Sequence, residues 1–176
     1  MKIGLCGTQS VGKTTLVNSL KELPKFKDFV FRTERSKYLR DLGIPLNTDS
    51  TLKGQTIFLA ERSSELLQPN IITDRTILDV MAFTMNSKSI IQDEKIDFER
   101  YAKNLISEYD YIFYISPKGV NIEDNGVRET NSFYRTLIDT TIKHLIDKYS
   151  HKIKSLHEIQ GSNKQRVNQI LNIVDF

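Results

Sequence analysis

The sequence predicts a three-layer α/β domain, a parallel sheet of about five strands with helices on both faces. Two observations carry this. Short apolar runs alternate with longer amphipathic segments along the chain, the pattern of strands joined by crossover helices. A glycine-rich turn separates the first apolar run from the first amphipathic segment, where a parallel sheet places its binding loops. A chain of 176 residues, 39% hydrophobic and 27% charged, suits one continuous core. No repeat, linker or compositional break marks a second domain, so residues 1–176 are read as one.

Each element has a local reason. Lys2 to Cys6 is the first strand. A helix follows from Lys13 to Leu23 until Pro24, which has no N–H to donate, closes it. Phe29 to Thr33 makes the second strand, and Glu34 to Leu42 a short helix stopped by Gly43 and Pro45. The cluster Asn47-Thr48-Asp49-Ser50 offers side-chain acceptors to the free N–H groups of a long helix reaching Leu67, ended by Pro69. Asn70 to Asp74 is the third strand and Thr76 to Met85 the next helix. Asn86 to Lys95 is polar and suits a mobile connection before a helix from Asp97 to Tyr109. The apolar run Tyr111 to Ile115, bounded by Pro117, is a buried strand, and Lys118 to Thr130 a long polar loop. Asn131 to Tyr149 is helical, Lys152 to His157 the last strand, and Lys164 to Val174 the closing helix. Right-handed crossovers bring the loops after each strand to one edge of the sheet, where function is expected.

Composition excludes several classes. The net charge of +3 is modest, and the best basic stretch, Lys143 to Lys154, is interrupted by Asp147 and reads as a solvated helix and strand. Cys6, the single cysteine, cannot form an intramolecular disulfide and suits a small buried hydrophobe. No stretch approaches the roughly 20 apolar residues needed to span a bilayer, and the N-terminus lacks a signal-peptide layout. A reducing, cytoplasmic compartment is expected. His144, His151 and His157 show no zinc-ligand spacing.

The chemistry starts at Gly7-Thr8-Gln9-Ser10-Val11-Gly12-Lys13-Thr14, followed by Thr15, which fits the phosphate-loop pattern G-x-x-x-x-G-K-[ST]. Gly7 and Gly12 admit backbone conformations that a side chain forbids and let amides approach phosphate oxygens. Successive N–H groups form an anion nest, and the following helix aims its positive end at the same point. Lys13 supplies a charge for the β- and γ-phosphates, and Thr14 a hydroxyl for magnesium. The motif lies between a strand and a helix, so ATP with magnesium is the expected ligand of a P-loop NTPase fold.

The third strand then separates classes. It ends Asn70-Ile71-Ile72-Thr73-Asp74-Arg75, with arginine where motor-type ATPases follow the acid with a water-activating glutamate. Asp74 lacks the following glycine of GTPases, and Asn163-Lys164-Gln165-Arg166 lacks the acid of their guanine motif. The Asp74-Arg75 pair resembles the small-molecule P-loop kinases, including thymidylate and deoxynucleoside kinases. The stretch Asp74 to Phe83 is similar to the nicotinamide-riboside kinase domain of bifunctional NAD-biosynthesis proteins, a group also known as AAA-type ATPases. The spelling Gly-Thr-Gln-Ser-Val-Gly-Lys-Thr-Thr, the segment Asp124-Asn125-Gly126-Val127-Arg128 and the segment Gly161 to Arg166 extend the resemblance over the chain.

The resemblance implies phosphoryl transfer from ATP to a nucleoside, nucleotide or similar small molecule. Lys13, Glu34 and Arg128 would be catalytic, with Arg128 on a lid spanning about 118–130 and Arg135 the next candidate. Thr14 and Asp74 would hold magnesium. Glu34, Arg35, Arg75 and Asp79 would face the acceptor, although Thr76-x-x-Asp79 also has the form of a capping box. Arg166 would stack on adenine, although Ser162-x-x-Gln165 beside it is again a capping box. Two other functions fit a phosphate loop: an ATPase or switch module acting on a protein partner, and a kinase for DNA ends or modified bases.

Overall fold

β1 (Lys2–Cys6) occupies the centre of a five-stranded sheet with β2 (Val30–Arg32), β3 (Ile71–Asp74), β4 (Tyr111–Ile115) and β5 (Leu156–Ile159), in the order β2-β3-β1-β4-β5. Every pairing is parallel, with Leu5 opposite both Asp74 of β3 and Phe113 of β4. The computed structural model describes residues 1–33, 35–119 and 131–175. The α/β fold expected from the alternating pattern is the one observed.

The strands alternate their side chains between two cores. Ile3, Leu5, Ile72, Phe113, Ile115 and Ile159 face α1 (Lys13–Lys21) and α7 (Asn163–Ile173), which contribute Leu16, Val17, Leu20 and Ile170. Cys6, Ile112 and Tyr114 face the other layer, made by α3 (Leu52–Glu65), α4 (Ile77–Met85), α5 (Gln92–Ala102) and α6 (Ser132–Lys148). The short α2 (Ser36–Asp41) follows β2. A β-carbon on Gly4 would lie 2.9 Å from the buried Tyr109 ring, which explains a glycine in the middle of β1.

Several boundaries depart from the sequence expectation, among them the end of α5 at Ala102 rather than Tyr109, where a 3-10 helix over Lys103–Glu108 takes over. The Asn47–Asp49 cluster does not cap α3. It closes a short 3-10 turn of its own, with Asp49 N–H donating to Leu46 and Ser50 N–H to Asn47, and Thr51 caps α3 by accepting from Gly54 N–H. α5 begins at Gln92 rather than Asp97, because Glu94 accepts the Ile91 N–H at 3.2 Å and completes an N-terminal turn within the polar stretch. β5 begins at Leu156, since only 156–159 align with Ile112 to Ile115.

Candidate functional site

The loop from Gly7 to Gly12 leaves the C-terminal end of β1 and turns into α1. Two of its residues must be glycine. Gly12 is left-handed at φ +86°, and at Gly7, φ +150°, a β-carbon would meet the Ile115 carbonyl oxygen at 2.8 Å. Ser10 is also left-handed at φ +57°. Gln9, Ser10, Val11, Gly12, Lys13, Thr14, Asp74 and Arg75 line a cradle of about 20 Å³.

Three long-range contacts hold the loop. Gly7 N–H donates to Asp79 Oδ1 at 3.0 Å, while Asp79 Oδ2 accepts the Thr76 N–H and hydroxyl, each at 2.7 Å. Asp79 is fully buried, so of the two roles open to it the structure shows the cap of α4, with a further grip on the P-loop, and not a side chain facing an acceptor. On the other side Arg166, 6% exposed, donates its Nη1 to the Val11 carbonyl. Its guanidinium lies against the loop backbone, 3.2 Å from where a Gly12 β-carbon would sit, rather than presenting an open face for a base to stack on. Burial pushes its pKa down. Thr8 adds a third tie, its hydroxyl donating to the carbonyl of Arg135 in α6 at 3.2 Å.

Lys13 Nζ donates to the carbonyls of Gly7 and, at 2.8 Å, Thr8. Burial lowers its pKa, Arg75 lowers it further, and Asp79 and Asp74 oppose both. Thr14 Oγ1 donates to Asp74 Oδ2 at 2.5 Å at the mouth of the cradle. This hydroxyl and carboxylate are hard oxygen donors side by side, the chemistry magnesium prefers. Among the described residues no group of three or more His, Cys, Asp or Glu is placed to enclose a metal.

The remaining expected residues fall around this centre. Thr15 follows on the exposed first turn of α1, outside the cradle. Arg35 sits apart, 3.3 Å from Glu61, beside a groove of about 510 Å³ shared with Arg32, Ser64, Glu65 and Gln68. Arg135 is buried near the start of α6, and desolvation lowers its pKa. Glu34, Arg128 and the 120–130 portion of the expected lid lie outside the described residues.

Arg62 is the residue that sequence reasoning passed over. It is 2% exposed, bonds Glu65 at 2.8 Å and donates Nη1 to the Asp74 carbonyl at 3.3 Å, fixing the strand end that presents the carboxylate. The signal was present: Leu59, Arg62 and Leu66 share one buried stripe of α3 and its end, where an arginine needs a partner. Burial raises the pKa of Glu65 and the Arg62 charge lowers it.

A family model described as an AAA domain matches residues 2–166. No curated protein matches. Among solved structures the chain is similar to deoxyadenosine kinase from M. mycoides, with 20% identity, a TM-score of 0.65, and coverage of 98% of this chain and 97% of that one. Thymidylate kinase from Ehrlichia chaffeensis is similar at 17% identity and TM-score 0.63, covering 98% and 97%. A NadR protein in complex with NAD and AMP-PNP superimposes with TM-score 0.71 at 13% identity, covering 97% of this chain and 47% of that chain. Likeness at these identities establishes the shared fold. Among the described residues no helix is long and apolar enough to cross a membrane.

Proposed function

This chain belongs to the AAA domain family, and we propose that it is an ATP-dependent kinase whose acceptor is a nucleoside, nucleotide or related small molecule. The observation that carries the proposal is the Thr14–Asp74 pair beside Lys13, all three lining the small cradle where the loop after β1 turns into α1. The arginine after Asp74 supports a kinase over a hydrolase, since no carboxylate follows to activate water. The similar structures are named as kinases of small nucleosides and nucleotides, or contain a nucleotide analogue, which favours the same class here.

In this reading residues 1–176 act as one kinase domain. Phosphate oxygens of ATP displace the Gly7 and Thr8 carbonyls from Lys13 and accept from the loop amides and the α1 N-terminus. Thr14 and Asp74 would hold magnesium, which would supply positive charge to the bound triphosphate. The acceptor lies toward Glu34 and Arg35, and Arg75, which also lines the phosphate cradle, meets both it and the triphosphate, with Glu34 orienting the acceptor hydroxyl and receiving its proton. Arg128 closes over the transferred group and meets the charge that develops on it.

The test is incubation with magnesium and γ-labelled ATP against a panel of nucleosides, nucleotides and oligonucleotides. Transfer of label to a nucleoside or nucleotide is the expected result. Label released only as phosphate, at a rate indifferent to any acceptor, would replace the kinase with an ATPase. Salt-sensitive labelling of oligonucleotides alone would point to nucleic-acid ends.

A further inference from the structure

Arg75 occupies a costly position. It is the first residue after β3, its φ is +110°, and its N–H is tied to the Leu5 carbonyl at 3.1 Å. A branched-off side chain at such a φ is strained, and strain of this kind persists where the surroundings hold a residue for a purpose. The result is an arginine lining the phosphate cradle next to Lys13. Two cations brought together repel, and the lowered Lys13 pKa carries an Arg75 contribution.

The Arg75 guanidinium carbon stands 4.7 Å from the centroid of the Phe83 ring. Phe83 is 8% exposed, on α4, and its ring meets Tyr134 of α6 with centroids 6.3 Å apart. The helix that carries Phe83 is held at its start. The first turn of α4 is pinned by Asp79, the carboxylate that also holds Gly7. The ring and the loop therefore share one anchor.

We infer that Phe83 is a positioning residue for Arg75, its ring face holding the guanidinium over the cradle so that Arg75 and Lys13 share the anionic charge of a bound triphosphate. The inference rests on the nucleotide-binding reading above. A free arginine must lose side-chain freedom each time it binds an anion, and a guanidinium already stacked on an aromatic face loses less. The ring quadrupole also offsets the repulsion from Lys13, since its face attracts cations. Phe83 touches no phosphate and acts only through Arg75.

The experiment measures the affinity of magnesium and inorganic triphosphate by calorimetry, a probe with neither base nor acceptor. Phe83→Leu keeps a similar volume without the ring face, and is expected to weaken binding about tenfold, between the worth of an exposed and of a desolvated cation–π contact, as suits the half-buried Arg75. Phe83→Tyr keeps the face and should stay within about twofold of wild type. In an Arg75→Ala background Phe83→Leu should add nothing, because the side chain it positions is gone. Unchanged affinity in Phe83→Leu overturns the inference, as does an equal loss in the Arg75→Ala background, which would mark Phe83 as a support of the fold. If the wild-type chain binds no triphosphate, the nucleotide reading falls and this inference with it. Binding by the wild type with an indifferent Phe83→Leu removes this inference alone.

Discussion

The backbone N–H of Gly7 and the carboxylate of Asp79 lie 3.0 Å apart although 72 residues separate them in the chain. One oxygen fixes the first residue of the P-loop, and the other caps α4 through both donors of Thr76. The β3–α4 junction therefore sets the shape of the loop that follows β1.

Asp79→Asn tests this coupling. An amide offers one acceptor oxygen where the carboxylate offers two, so either Gly7 or Thr76 faces an N–H and is left unsatisfied. The expected loss is about 1–3 kcal/mol of stability, the cost of a buried donor without a partner. ATP affinity should fall as well, because the loop loses its fixed entry. An unchanged melting temperature with unchanged ATP binding would show that the contact does not organise the loop.

Arg166 separates two roles cleanly. If it shapes the loop through the Val11 carbonyl, Arg166→Ala weakens inorganic triphosphate and ATP by the same factor. If it stacks on adenine, only ATP loses affinity. The geometry leads us to expect equal losses, of about tenfold or more, as befits one charged hydrogen bond. Calorimetry with the two ligands distinguishes the outcomes, and a loss confined to ATP would restore the stacking role.

Much of the sheet was legible because its signals are local. Tyr111 to Ile115 is apolar without a break, and the P-loop spelling fixes the junction of β1 and α1. The strand ends Asp74 and Arg75 were found by the same route. What the sequence does not display is which polar group meets which across the fold. Asp79 and Arg166 carry capping-box and basic-residue signatures whatever they face, and only tertiary packing directs both onto the P-loop backbone. Arg62 sat in an ordinary amphipathic helix, and its grip on the Asp74 carbonyl depends on how α3 crosses β3. The start of α5 is not legible in the sequence because Ile91 is no usual cap, and the turn depends on Glu94 reaching back to its N–H.

Lys13→Met removes a buried ammonium while keeping the aliphatic stem. ATP binding should become undetectable, with stability changed by no more than about 1 kcal/mol at neutral pH. The native pKa lies below the ordinary lysine value of 10.5, so the unfolded chain binds more protons in the interval between the two. Stability of the wild type therefore gains from rising pH across that interval. Lys13→Met should lack this increment in denaturant titrations at stepped pH. Retained ATP affinity would remove the phosphate role of Lys13.

Glu99 sets an acid-side dependence. Burial raises its pKa, but hydrogen bonds from Lys148 and Tyr149 outweigh that and hold it below the usual 4.5. Lys148 Nζ and Tyr149 Oη lie 2.6 and 2.5 Å from its Oε1, tying α5 to the end of α6. A carboxyl depressed in the native state stabilises above its unfolded pKa, and that contribution fades as pH falls through the native value. Glu99→Gln should therefore cost up to about 1 kcal/mol at pH 7 and converge with wild type in acid. A gap between the two proteins that stays constant from neutral to acid pH would contradict the assignment.

Asp74 is the sharpest test of the site, because its neighbours divide its work in space. Its carbonyl is held by Arg62, a structural contact that Asp74→Asn leaves untouched. Its Oδ2 accepts from Thr14 Oγ1, and an asparagine oxygen can still accept that bond. The substitution therefore removes one negative charge and little else. A structural role would show as a changed melting temperature with normal magnesium dependence. A metal role would instead leave stability within about 0.5 kcal/mol and raise the magnesium concentration needed for half-maximal phosphoryl transfer by about tenfold or more. Binding of ATP without magnesium should not weaken, and should gain slightly as one carboxylate no longer repels the triphosphate. Equal magnesium requirements in Asp74→Asn and wild type would take the metal away from this strand end and leave Thr14 alone as its protein ligand.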